Sequence, residues 1–272
     1  MSAQKPEKMN RVTIRKLQER ARGGEKLAML TCYDASFARI SEEAGVDMLL
    51  IGDSLGMVIQ GHDSTLSVSV AETEYHVRCV ARASERALVI ADMPFGSFQE
   101  SPAQAFRNCS KMMAAGAQMV KLEGGAVMAK TTGFLVDRGI PVCAHIGLTP
   151  QSVNTLGGYR VQGREDAAAD RLVADAKALE EAGAAIVLME AMPAAVAKRV
   201  TESIAVPTIG IGAGPHVSGQ VLVNYDMLDI YPGRKARFVK NYLEGRGSVK
   251  EAIAAYVKEV KDGTYPGPEH SF

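Results

Sequence analysis

Eight short apolar runs separated by helical patterns predict an α/β fold, a closed (β/α)8 TIM barrel. The barrel takes residues 1–272 as a single domain, with an N-terminal helix covering its bottom. Size agrees: 272 residues, 47% of them hydrophobic, suit one eight-unit barrel around one large core. The third observation is where the runs stop. Residues 49–52 run into Asp53, 88–91 into Asp92, 119–122 into Glu123, 141–144 into His145 and 186–189 into Glu190. Packing gives a buried strand no reason to finish on a carboxylate. Chemistry does, because the active site of such a barrel lies at the C-terminal ends of its strands.

The elements follow in order. Residues 13–22 read as a helix capped by Thr13 and stopped by Gly23 and Gly24. It precedes strand one, 27–31, and so is placed to cover the bottom. Asp34 caps a helix that ends at Gly45. Strand two, 48–52, leads into a polar loop over 53–69 that carries His62 and Asp63, and its length is that of a lid or binding loop. A helix over 70–86 holds His76, and strand three is 88–91. Pro102 suits the first turn of a helix over 102–115, and Gly116 its end. Strand four is 119–122, a helix over 126–138 closes at Gly139, and strand five is 142–144. A second long loop, 146–163, is rich in Gly, Thr, Gln and Asn. A helix over 166–182, strand six at 186–189 and a helix over 193–204 follow. Strand seven, 208–210, runs into Gly212-Ala213-Gly214, His216 lies near a helix start, and strand eight is 220–223. A helix over 248–261 is the last, and 263–272, with His270, reads as a tail. No G-x-G-x-x-G opens a helix after strand one, which counts against a dinucleotide-binding open sheet.

Composition narrows the function. Lys+Arg and Asp+Glu both number 31, so the formal net charge is zero and no electrostatic footprint for nucleic acid or membrane exists. The basic stretch 234–237 reads as a solvated helix face. Cys32, Cys79, Cys109 and Cys143 form no C-x-x-C pair and read as buried free thiols of a reducing compartment. Residues 1–7 are polar and unlike a signal peptide, and no apolar run reaches membrane-spanning length. The expected location is cytoplasmic.

Strand parity assembles the strand-end residues. Side chains alternate across a strand, so Lys121 and Glu123 point the same way, into the barrel mouth, while Val120 and Leu122 face the helices. The same parity brings in Asp92, His145 and Glu190. Asp53, Asp92, Lys121, Glu123, His145 and Glu190 then converge on one crater. Crowded acids there need compensation. A hard divalent cation supplies it, and oxygen ligands select Mg²⁺, or less readily Mn²⁺, at Asp53, Asp92 and Glu123. The plainer alternative pairs these acids with rim lysines and arginines. A metal gripping a 2-oxo acid acidifies the neighbouring C–H. Glu190 is then the candidate base, and Lys121 a fixed positive charge for a substrate oxygen. Spacing leaves the electrophile open.

Residues 30–34 (LTCYD), 51–57 (IGDSLGM), 91–97 (ADMPFGS), 120–125 (VKLEGG), 145–151 (HIGLTPQ), 157–163 (GGYRVQG) and 209–214 (IGIGAG) resemble, in order, the signatures of the ketopantoate hydroxymethyltransferase family. The similarity covers nearly the whole chain. It implies the (β/α)8 barrel, the first committed step of pantothenate biosynthesis, and a large homo-oligomer, a decamer. The implied reaction moves a hydroxymethyl group from 5,10-methylenetetrahydrofolate to 3-methyl-2-oxobutanoate, giving 2-dehydropantoate. It implies Mg²⁺ held by Asp53, Asp92 and Glu123, the last directly or through water. Asp53, Ser54, Asp92 and Lys121 would contact the keto acid, Glu190 would accept the proton, and His145 would touch the reacting end. One departure is Ser218, where the family usually has an acid before Gly219-Gln220. The 210–214 glycines could form a phosphate loop, but tight backbone packing is preferred.

Two other readings compete. One is a Mg²⁺-dependent C–C or C–P lyase of the phosphoenolpyruvate mutase and isocitrate lyase type, although a Lys-Lys-Cys-Gly-His-like lid motif has no counterpart here. The other is a non-catalytic small-molecule-binding barrel, which has no need of several acids and a lysine around one crater.

Overall fold

The computed structural model describes residues 11–272. The polar segment 1–7 lies outside the described residues. Eight strands alternate with helices: β1 (Leu27–Thr31), β2 (Met48–Ile51), β3 (Leu88–Asp92), β4 (Met119–Glu123), β5 (Val142–Gly147), β6 (Ile186–Glu190), β7 (Thr208–Ile211) and β8 (Gly219–Leu222). Each pairs in parallel with the next, and β8 closes on β1. Almost every strand residue is buried, as expected where helices cover one face and the barrel interior the other.

The helices are α1 (Ile14–Arg22), α2 (Ala35–Glu43), α3 (Leu55–Val58), α4 (Val70–Ala83), α5 (Pro102–Ala115), α6 (Ala129–Val136), α7 (Val153–Leu156), α8 (Asp166–Glu181), α9 (Ala194–Ser203), α10 (Asn224–Met227) and α11 (Val249–Asp262). Their starts are where cap chemistry places them. Thr13 accepts from the Lys16 N–H, Asp34 from Ser36 and Phe37, and Ser101 from Gln104 just before Pro102. The N-terminal segment covers the bottom as expected. The Val12 N–H donates to Arg86 O, Gln18 reaches Ala185 O, and Arg20 pairs with Asp47, all beside strand starts.

Several boundaries differ from expectation. Strands three, four and six include their terminal acid, because Asp92, Glu123 and Glu190 remain in the ladder. The helix after β2 stops at Ala83 rather than 86. The Glu42 carboxylate takes the Ser84 hydroxyl and the N–H groups of Glu85 and Arg86 and pulls that turn out of the helix. The loop 53–69 is not a bare lid: it contains α3 and a 3-10 turn, Thr65–Ser67, with Leu55, Thr65 and Val68 buried. His62 and Asp63 in it are exposed. The second long loop holds a 3-10 turn, Pro150–Ser152, and then α7. His216 lies in a helix-free link, and residues 234–237 are irregular rather than helical. His76 is in α4, its Nδ1 2.7 Å from Tyr33 O.

Residues 263–272 are no loose tail. Tyr265 is buried and donates to Phe238 O at 2.6 Å, and Phe272 O accepts the Ala194 N–H. The 210–214 glycines serve packing: a Cβ on Gly212, at φ +61°, would lie 2.4 Å from the Phe238 ring. Of the cysteines, Cys32, Cys109 and Cys143 are buried free thiols and Cys79 is half-buried.

Candidate active site

Register brings the strand-end residues together. β3 sets Asp92 beside Lys121 of β4, and β4 sets Glu123 beside His145 of β5. Opposite the end of β5, β6 contributes Glu190. A side chain on Gly147 would strike Glu190 O at 2.3 Å, so only glycine, here at φ +91°, lets these two strand ends close up. Asp53 follows β2 directly, and its N–H donates to Asp92 Oδ2 at 3.2 Å.

Asp53, Asp92 and Glu123 are buried, and each offers a carboxylate oxygen within 4.8 Å of the other two. Lys121 lies among them, its Nζ 2.7 Å from Asp92 Oδ1 and 3.4 Å from Glu123 Oε1. His145 stands between two acids, with Nδ1 3.4 Å from Glu123 Oε1 and Nε2 3.3 Å from Glu190 Oε2. These contacts are at ion-pair range but out of line for hydrogen bonds, so both buried ring nitrogens lack a hydrogen-bond partner. Glu190 is the least buried of the group, with 16% of its side chain exposed against 3% for Glu123. It faces the mouth.

The electrostatics follow from crowding. Burial, and then the charges of Asp92 and Glu123, hold the Asp53 carboxyl well above the ordinary carboxylate range. Burial also raises Asp92, with Glu123 adding to it and Lys121 opposing. Burial works against the Glu123 carboxylate too, but Lys121 and His145 outweigh it and hold its pKa low. Lys121 is held firmly protonated by the three acids despite its burial. Burial and Lys121 oppose a charge on His145, yet Glu123 and Glu190 raise it to about 9.

All the strand-end residues expected at the crater meet there, and Ser54, next in sequence to Asp53, has its Oγ 2.8 Å from Tyr33 Oη. Two residues carried no assigned role in the sequence: Tyr33, the partner of Ser54, and Gln151, whose Nε2 donates to Asp53 Oδ2 at 2.9 Å and whose main-chain N–H donates to Glu123 Oε2 at 3.0 Å. Both stand inside matched motifs, but neither carries a charge that would draw notice. Ser218, by contrast, sits at the start of β8, the opposite end of the barrel, exchanging bonds with Thr208.

The donor set suits a hard divalent cation. It is three carboxylates, with the nearby Cys143 thiol pushed by burial up to about 12 and so no thiolate ligand.

Comparison with known proteins identifies the family. The family model for ketopantoate hydroxymethyltransferase matches residues 11–268. A 3-methyl-2-oxobutanoate hydroxymethyltransferase of Thiobacillus denitrificans is 62% identical over 96% of this chain and 99% of its own. One of Azoarcus sp. is also 62% identical, over 96% and 97%. Among solved structures, phosphoenolpyruvate phosphomutase from Streptomyces platensis superposes with a TM-score of 0.59, covering 78% of this chain and 81% of its own, at 15% identity. That likeness is one of fold. The ordered motifs, the matched family model and the relatives together make this chain an enzyme of the ketopantoate hydroxymethyltransferase family.

Proposed function

We propose that the protein transfers a hydroxymethyl group from 5,10-methylenetetrahydrofolate to 3-methyl-2-oxobutanoate, giving 2-dehydropantoate, the first committed step of pantothenate biosynthesis. The observation that carries this reading is the crater itself. Three mutually close buried acids share one lysine, and a fourth acid lies across a histidine from them.

Asp53, Asp92 and Glu123 would hold one Mg²⁺ per subunit. When bound, that ion supplies Lewis-acid polarisation of the substrate's 2-oxo group, several kcal/mol against the barrier. Lys121, a fixed cation, and Ser54, oriented by Tyr33, bind the keto acid's oxygens. Glu190 accepts the proton from C3, and its partial exposure at the mouth leaves it in reach of that carbon. Water breaks the two C–N bonds that hold the one-carbon unit on the folate, whose nitrogens take up the water's protons. C3 then bonds to the released carbon, and its oxygen, that of the water, takes the proton that left C3 and becomes the hydroxyl. His145, between Glu123 and Glu190, stands at the reacting end. The buried floor keeps water from the acids and strengthens every charge interaction there.

On this reading the protein works in the cytoplasm as a homo-oligomer, a decamer by the family resemblance. No helix among the described residues is long and apolar enough to cross a membrane.

The deciding experiment follows the C3 proton of 3-methyl-2-oxobutanoate into deuterated solvent, with and without Mg²⁺ and tetrahydrofolate. A transferase exchanges it in a Mg²⁺-dependent way, a lyase instead cleaves a C–C or C–P bond in a hydroxy-acid or phosphono-acid substrate offered in parallel, and a binding barrel does neither. Glu190→Gln is expected to keep keto-acid binding and lose the exchange. Undiminished exchange in that variant removes Glu190 as the base.

A further inference from the structure

Gln151 lies in the Pro150–Ser152 turn and is only 5% exposed. Its amide spends both protons, one on Asp53 Oδ2 at 2.9 Å and one on Met93 O at 2.8 Å. Its oxygen therefore faces away from Asp53 and accepts from Gln99 Nε2 at 3.1 Å. Gln99 is itself tied down, its Oε1 accepting the Gly96 N–H at 2.8 Å. From the other side the Gln151 main-chain N–H donates to Glu123 Oε2 at 3.0 Å. One uncharged residue thus grips two of the three clustered acids and reaches the segment after β3, which follows the third, Asp92.

Physics says why such a grip is needed. Like charges at this spacing drive the carboxyl groups to rotate apart or take up protons. A donor on one oxygen of each acid opposes both and leaves a second oxygen for a cation. A lysine in the same place would offer donors too, but would cancel the charge that attracts the ion. A neutral amide holds without cancelling. Gln99 matters because an amide turned end for end would present its oxygen to Asp53 and repel it.

We propose that Gln151 is a positioning residue of the metal centre: its side-chain amide preorganises Asp53, beside the Glu123 carboxylate that its main chain holds, for a divalent cation, and Gln99 sets the direction of that amide. This rests on the reading of these acids as a cation site. Removing such an outer hydrogen bond typically weakens metal affinity by about 10- to 100-fold.

The test uses the full-length protein stripped of metal with a chelator and titrated with Mn²⁺ alone, free ion being counted by electron paramagnetic resonance. Gln151→Met keeps the side chain's length and removes its hydrogen bonds. Gln99→Met leaves Gln151 in place but frees its amide to turn. Gln151→Met is expected to bind Mn²⁺ about 10- to 100-fold more weakly, and Gln99→Met to lose less in the same direction. The kcat at saturating Mg²⁺ should return towards wild type while the apparent metal constant rises in proportion. A purely structural role would lower the melting temperature and leave the affinity of the folded protein unchanged. Equal Mn²⁺ affinity in wild type and both variants overturns the role of the Gln151 amide and leaves the metal site standing. A wild type that takes up no Mn²⁺ overturns both. If Gln151→Met does not fold, Gln99→Met decides.

Discussion

At the bottom of the barrel Glu42 accepts the Ser84 hydroxyl at 2.6 Å and the N–H groups of Glu85, Arg86 and Ala87 at 2.7–3.0 Å. Nearby, Asp47 receives Arg20 at 2.9 Å, Lys261 at 3.1 Å and the Ala28 N–H at 3.0 Å. At the top, Asp53, Asp92 and Glu123 crowd around one lysine, with Glu190 beyond His145. Buried carboxylates at the bottom have donors or cations enough; those at the top have fewer cations than charges. Burial opposes ionisation of Glu42, yet its donors hold the pKa low, whereas burial and repulsion drive Asp53 high. One set of acids contributes stability, and the other is held in place at a cost that chemistry explains.

The sharpest way to break this contrast is Asp92→Ala. Loss of Lewis-acid stabilisation should cut turnover by about a thousandfold or more, while circular dichroism reports an intact barrel. Saturating Mg²⁺ should stabilise the wild type by about 2.7 kcal/mol at a hundred times Kd and leave the variant's melting curve unmoved. Normal turnover, or a Mg²⁺-induced shift equal to wild type, would remove Asp92 from the metal shell.

Glu42→Ala should do the reverse. Truncation strands three N–H groups and a hydroxyl, a loss of about 3 kcal/mol in urea unfolding, with kcat per folded molecule unchanged. The pH dependence sharpens it. Because the folded pKa is lowered, the stability that ionised Glu42 contributes is complete above the ordinary value of 4.5 and is lost as pH falls through the folded one. The stability gap between wild type and Glu42→Gln should therefore be flat above pH 4.5 and close below it. A gap that persists in acid would show that shape, not charge, makes the contact.

The two ends were not equally legible in the sequence. The crater was, because burial on both faces enforces a period of two, and a polar residue at the end of an apolar run has one place to go. Lys121 and Glu123, two apart, show this directly. Ser54 needed the family resemblance, since nothing in its spacing points to Tyr33. Gln151 was missed because it is uncharged and sits in a turn without periodicity. At the bottom, the end of α4 depends on Glu42, some forty residues earlier, a contact no local pattern encodes. The final ten residues read as a tail because their hold on the barrel is tertiary: Tyr265 stacks edgewise on Tyr242 and Tyr256.

The smallest expected effect concerns Ser218, where the sequence resemblance leads one to expect an acid. Its Oγ accepts the N–H of Thr208 at 3.2 Å, and its own N–H donates to Thr208 Oγ1 at 3.1 Å. Ser218→Ala leaves the Thr208 N–H short of an acceptor and should cost about 1 kcal/mol in urea unfolding, with kcat and KM unaltered. Ser218→Asp restores an acceptor. It also sets a carboxylate next to Val217, whose carbonyl, with that of Pro215, holds the half-buried Lys26 ammonium. Burial lowers the Lys26 pKa, so a nearby negative charge relieves that cation. Ser218→Asp should thus be more stable than Ser218→Ala, again with unchanged kinetics. A change in KM for the keto acid in either variant would mean that the bottom of β8 communicates with the crater, and the separation of the two ends would fail.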